Sequence, residues 1–192
     1  MAVLILGLVL FLGMHSITIV APAWREHAVA RLGLVGWQAV YSAVSLLGFA
    51  LLIWGYGLAR AQPVPVYVPP LWTSHLVLLL MLPVFPLLLA TYLPGRIKTA
   101  VQHPMLAAVK LWAFAHLLAN GQVHDLVLFG AFLAWAVASG ISVKHRGPLP
   151  VPGAPPGKVN DLVAVIGGLL LYGAFIGGVH AWLIGVSPLV RI

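Results

Sequence analysis

An all-α, polytopic transmembrane bundle of about six helices is the fold class this sequence predicts, and three observations predict it. Of 192 residues, 62% are hydrophobic and 7% are charged, with a mean hydropathy of +1.07. An average soluble domain carries roughly a quarter charged residues, so this chain cannot coat a globular surface with polar groups, and lipid is its natural solvent. The apolar residues come in runs of about 20, the length that crosses a hydrocarbon core of about 30 Å. Between the runs stand basic or Pro/Gly-rich stretches that cannot continue a span. One domain over residues 1–192 is expected, since six spans and their loops consume nearly all of the length.

The first span runs from about Ala2 to Pro22 and ends at the polar Trp24-Arg25-Glu26-His27. It lacks the basic start of a secretory leader and is expected to be retained. The second covers about Trp37 to Leu58, followed by Gln62 to Pro70, a connector with four prolines. The third, Leu71 to Leu93, holds Pro83 and Pro86, which predict a kink near Leu82. Pro94-Gly95 ends it. The fourth begins at Pro104, a residue suited to a first helical turn, and reaches Ala119 before Asn120-Gly121. The fifth is short, Asp125 to Ser142, and Gly147 to Gly157 reads as a mobile loop. The sixth covers Asp161 to Ile184. Spans four and five are short for a bilayer and are expected to tilt little or to form a hairpin leaning on the others.

Ten Lys and Arg stand against three Asp and Glu. In a soluble protein that excess points to nucleic acid, but here the cations sit between apolar runs and set orientation instead. Arg25, Arg31, Arg96, Lys98, Lys144, Arg146 and Lys158 fall in the first, third and fifth loops; the opposite side has Arg60 and Arg191. Positive charge favours the cytoplasm, so both termini are expected on the non-cytoplasmic side. Trp24, Trp37, Trp72 and Trp182 lie near span ends, as in an interfacial aromatic belt. Cysteine is absent, which removes disulfides, thiolate ligands and cysteine nucleophiles.

Eight histidines are many for so apolar a chain. An imidazole in hydrocarbon is costly unless its nitrogens are paired, so each intramembrane histidine is a functional candidate. His27, His124 and His145 fall at span ends and read as solvated; His75 is one turn into the third span. With a rise of about 1.5 Å per residue, His15 lies roughly 10 Å from Pro22, His116 roughly 18 Å from Pro104, and His180 roughly 28 Å from Asp161. His15 and His116 are thus at compatible depth, where two neutral imidazoles on facing helices can clamp a haem iron. Gly13, Ser16, Ala113, Ala115 and Ala119 would leave room for a macrocycle. The same histidines can equally hydrogen-bond a neighbouring helix, and the same small residues can serve close helix packing. His103 either caps the fourth helix or lines a mouth on the cytoplasmic side, and Lys110 either snorkels to that surface or meets a haem propionate. A zinc centre lacks convergent ligands, no Ser-His-Asp order with a nucleophile elbow is present, and a proton-coupled carrier would need more acids.

The stretch Tyr92-Leu-Pro-Gly-Arg-Ile-Lys98, His103-Pro-Met-Leu and Lys110-Leu-Trp-Ala-Phe-Ala-His-Leu-Leu-Ala-Asn-Gly121 resembles the NnrU family, as do Leu128 to Val137, Asp161 to Gly167 and His180 to Gly185. The resemblance implies a bacterial inner-membrane protein of the kind named from loci for nitrite and nitric oxide reduction. It extends to zeta-carotene isomerase, a haem b enzyme of the same family. This implies axial ligation by His15 and by His116 within Trp112-Ala-Phe-Ala-His116; His180, His103 and Lys110 are secondary candidates from their positions along the chain. The isomerase carries a cysteine three residues before the second histidine, where this chain has Ala113. Ligand exchange at that position is therefore lost. Gln102-His103-Pro104 shares only the His-Pro pair with membrane methyltransferases of the isoprenylcysteine type, whose Arg and Tyr are missing.

Three readings stand at this level. One is a haem b protein acting in redox, isomerase or nitrogen-oxide-linked chemistry, with a small apolar substrate or a redox partner. Another is a non-catalytic accessory protein of a nitrite or nitric oxide reduction system, without cofactor. A third is a carrier for a small molecule. Whether the chain is an enzyme is left open among them.

Overall fold

The structure is a computed structural model and describes residues 1–147 and 151–189. Arg191, one of the two cations counted on the sparsely charged side, lies outside the described residues. Helices α1 (Ala2–Val20) and α2 (Pro22–Arg60) form an antiparallel pair. A Cβ added at Gly55 would lie 2.6 Å from the Leu4 Cα, and one at Gly48 would lie 2.7 Å from the Phe11 nitrogen. Two backbones therefore touch where side chains are missing. Such contact is how helices associate in lipid, which offers no hydrophobic drive between them. Leu4, Leu8, Leu52 and Ala59 are buried along this seam, with Phe11, Tyr56 and Phe132 packed around it.

α2 begins at Pro22 instead of Trp37, so Arg25, Glu26, His27 and Arg31 are helical and not in a loop. Gly33, at φ 72 and ψ 165, breaks the run into two helices, a conformation open to glycine at little cost. The short arm before it carries Trp24 and the basic residues, the make-up of a segment lying along a bilayer surface. Trp37 departs from the expected belt. It is 5% exposed and packs edge-on against Trp24 at 5.8 Å. Trp24, Trp72 and Trp182 are exposed.

The third span is two helices, α3 (Trp72–Met81) and α4 (Val84–Tyr92), parted at the expected kink by Leu82 and Pro83. A short helix, α5 (Arg96–Val101), fills the next loop. α6 (Pro104–Ala119) and α7 (Val123–Arg146) form an antiparallel hairpin. α7 has 24 residues and is not short: it runs past Ser142 through Lys144, His145 and Arg146, cations that suit a helix C-terminus. α8 (Asn160–Ala174) passes through a π-helical turn, Phe175–Val179, into α9 (His180–Ile184). Five of these segments are long and apolar enough to cross a membrane, and α6 is a shorter apolar helix beside them.

The main contacts run in the order α2, α1, α7, α6, α4, α8, with α3 also resting on α6. Outward faces are apolar: Leu46, Ile53, Leu79 and Leu170 are 67%, 62%, 67% and 70% exposed, which lipid satisfies and water would not. At one end, the Pro-rich connector lies over the α6–α7 turn, Val66 donating to the Gly121 carbonyl at 2.7 Å and Val123 to that of Val64 at 2.9 Å. At the other, the described part of the Gly147 to Gly157 loop is tied to the end of α4. Ala154 N–H donates to the Tyr92 carbonyl and the Asn160 amide to that of Pro94, each at 2.8 Å.

Candidate functional site

His15 projects from α1 into a partly buried aromatic cluster. Its ring stacks on Phe11 at 4.3 Å, with Tyr41 at 5.3 Å and the edge of Trp135 at 5.9 Å. Its Nδ1–H donates to the Phe11 carbonyl at 2.7 Å. His116, on α6, donates from Nδ1 to the Trp112 carbonyl at 2.8 Å and stacks on Phe129 at 4.6 Å. His180, at the start of α9, donates from Nδ1 to the Val186 carbonyl at 2.7 Å. A carbonyl only accepts, so each bond places the proton on Nδ1 and leaves the Nε2 lone pair free when the ring is neutral. His27 and His145 make the same bond to the residue four before, so this habit sets a tautomer without marking a site.

The structure does not bring His15 and His116 together. α7 stands between α1 and α6, and Phe132 fills the gap, 5.8 Å from Phe11 on one side and 5.4 Å from Trp112 on the other. Ala113 and Ala115, expected to leave space, are fully buried by neighbours. What His116 meets is His180, with ring centroids 6.5 Å apart and planes 28° from parallel. Metal–nitrogen bonds of about 2 Å put the centroids of two imidazoles on opposite sides of one metal ion roughly 6 Å apart. The His116–His180 spacing suits two imidazoles on one metal centre. Among the described residues, no group of three or more His, Asp or Glu gathers as a metal site.

A second polar cluster at the same end was invisible to span-by-span reading. His124 and Asp125 open α7 and are 5% and 3% exposed, so His124 is buried and not solvated. Tyr56 donates to the Asp125 carboxylate at 2.6 Å, and His124 Nε2 lies 3.5 Å from the same oxygen. Arg60, one turn beyond Tyr56, sits over the Tyr56 ring at 5.9 Å and donates to the Ile184 carbonyl at 2.6 Å. That last bond ties the end of α9 to α2, two residues sharing no sequence neighbourhood. Asp125 and Phe129 lie four residues apart on α7, so the buried acid is one helical turn from the ring that stacks on His116. The one sequence cue was an acid in the first turn of an apolar helix, where the helix dipole favours it.

The other candidates lie elsewhere. His103 precedes α6 but makes no side-chain capping bond, so the capping role expected for it is not present. The Lys110 amino group rests against α7, where a Cβ at Gly140 would be 2.9 Å from it. His75 is exposed.

Comparison with known proteins places the chain. It matches the family described as NnrU protein over residues 3–188, which takes in every apolar segment above. No match was found among curated proteins or among solved structures. On a match that covers nearly its whole length, the chain belongs to the NnrU family.

Proposed function

We propose that this membrane protein binds haem b, with His116 of α6 and His180 of α9 as the residues that would hold its iron, and that it serves redox, isomerase or nitrogen-oxide-linked chemistry. The observation that carries the reading is the pair of imidazoles 6.5 Å apart, each with Nδ1 committed to a backbone carbonyl. Such a bond orients a ligating imidazole and raises the basicity of its other nitrogen. Phe129 and Trp112 pack on His116 and keep water from that side. The Tyr56–Asp125–His124 cluster one turn away supplies a fixed carboxylate that favours a cationic neighbour. When bound, haem would supply a one-electron redox centre whose potential the protein side chains around it would tune. His15, the ligand implied by family resemblance, is outside this set and serves to pack α1 on α7.

The protein belongs, on this reading, in a bacterial inner membrane. The end with Arg25, Arg31, Arg96, Lys98, Lys144, Arg146 and Lys158 faces the cytoplasm, and the termini face away. The test is a visible spectrum of the full chain purified in mild detergent after haem supplementation. A Soret band that His116→Ala and His180→Ala each abolish or shift, and His15→Ala leaves alone, is the expected result. No band at full protein occupancy would sink the haem reading; loss with His15→Ala alone would return the ligand to α1.

One observation favours the accessory reading. Gly173 and Gly177, spaced four apart on the outer half of the last span, have nothing within 4 Å of an added Cβ. Small residues at that spacing let a partner helix approach closely. Co-purification with a membrane complex that Gly173→Leu disrupts, together with no Soret band, would decide for it.

A further inference from the structure

At the basic end of the bundle a cleft of about 1020 Å³ opens between Pro94–Ala100 and Pro156–Asp161. Arg96, Lys98 and Lys158 line it, and so does Asp161. The acid is already spent. Its two oxygens accept from the backbone N–H groups of Arg96 at 2.8 Å and Ile97 at 3.0 Å, closing the start of α5. Gly95 leaves room for this, since a Cβ there would lie 2.7 Å from the Asp161 Cγ. Among the described residues, no carboxylate lies within 4 Å of any of the three cations.

Nor does the chain have one to send. Its only other acids are Glu26, on the surface arm of α2, and Asp125, buried at the opposite end. Among the described residues the three cations therefore have no counter-charge, which leaves them free to receive an anion from outside the protein. The cleft is bounded by the end of α4 at Tyr92 and the start of α8 at Asn160, the level at which two of the apolar segments leave the bilayer. The Lys98 amino group is held in place by the Thr91 carbonyl at 2.8 Å, with two N–H bonds left to give. Basic pockets between helices on this side of a membrane are suited to phosphate headgroups.

We propose that this cleft binds the phosphate of an anionic glycerophospholipid, with Arg96, Lys98 and Lys158 as its cationic walls. The guanidinium offers a forked pair of donors to two phosphate oxygens, and the lysines act as point charges beside it. Acyl chains then run along α8, whose outer face is apolar, as Leu162, Ile166 and Leu170 show. The cleft is in the opposite half of the bundle from His116 and His180, so its occupancy does not depend on any group held there.

Native mass spectrometry of the full chain, released from detergent with phosphatidylglycerol, phosphatidylcholine or inorganic phosphate, reads the site directly. Phosphatidylglycerol should be retained at least tenfold more than phosphatidylcholine. Arg96→Gln, Lys98→Gln and Lys158→Gln together should remove that preference. Lys144→Gln with Arg146→Gln, at the end of α7, should leave it intact. Arg96→Lys, Lys98→Arg and Lys158→Arg keep the charge and should keep binding, which separates a lost site from a misfolded chain. Equal retention of both lipids, an unaltered preference in the glutamine triple variant, or an equal loss in the α7 variant would overturn the proposal. So would retention of inorganic phosphate without phosphatidylglycerol, since the anion would then come from solution.

Discussion

On the α1–α2 flank, His15 is enclosed by Phe11, Tyr41 and Trp135, whereas on the α6–α9 flank His116 looks across to a second imidazole. Both rings sit on helices and both spend Nδ1 on the carbonyl four residues back. The difference lies in what comes opposite. α1 presses on α2 so closely that backbones touch at Gly48 and Gly55, and aromatic side chains close over whatever lies beside that seam. α9 is a short helix beyond a π-helical turn, tied down by Arg60, and it delivers His180 instead of an apolar side chain. π turns within α-helices recur at functional sites. An identical local device thus ends as packing on one flank and as a candidate ligand pair on the other.

The largest way to break this contrast is at the seam. Gly55→Leu must push Leu4 off α2, because the obstacle is backbone and cannot rotate away. A loss of about 3 kcal/mol is expected, the upper part of the range for overpacking. Thermal unfolding in detergent measures it, and wild-type stability would mean that α1 and α2 are not in contact there. Asp125→Ala comes next. It strands the Tyr56 hydroxyl and the His124 ring in the interior at a cost of about 1–3 kcal/mol. Asp125→Asn, which still accepts from Tyr56, should recover part of that in the same measurement.

Arg60→Gln frees the Ile184 carbonyl and loosens α9, with about 1 kcal/mol lost locally. Faster amide exchange confined to residues 180–184 is the expected sign, together with a weakened or shifted Soret band if His180 ligates. The smallest effect is expected from His15→Phe, which keeps a ring of similar shape in an aromatic cage. Less than about 1 kcal/mol should be lost and any haem spectrum should be unchanged. A spectral change there would erase the distinction between the flanks.

Much of the fold was readable one segment at a time. The kink by Leu82, the start of α6 at Pro104 and the helical character of every apolar run follow from proline chemistry and hydropathy. The ends of α2 and α7 were not readable, because charged residues such as Arg25 and Lys144 mark where a membrane stops and not where a helix does. The candidate site was less accessible still. His116 and His180 were each singled out, but their meeting depends on which helices are neighbours, and Phe132 of α7 decides that. Asp125 and His124 looked like span-end residues because depth along one helix does not reveal what another helix places on top of it.

What the amino-acid order determined by itself is that these apolar runs are helices in lipid. In that solvent each backbone polar group must be satisfied within its own segment, so composition is enough. What only the tertiary structure decided is adjacency: α7 between α1 and α6, backbones touching where glycine permits, and one histidine caged while two others face each other. Helix neighbours are chosen by close contact between particular side chains from distant stretches of chain, and hydropathy carries no record of that.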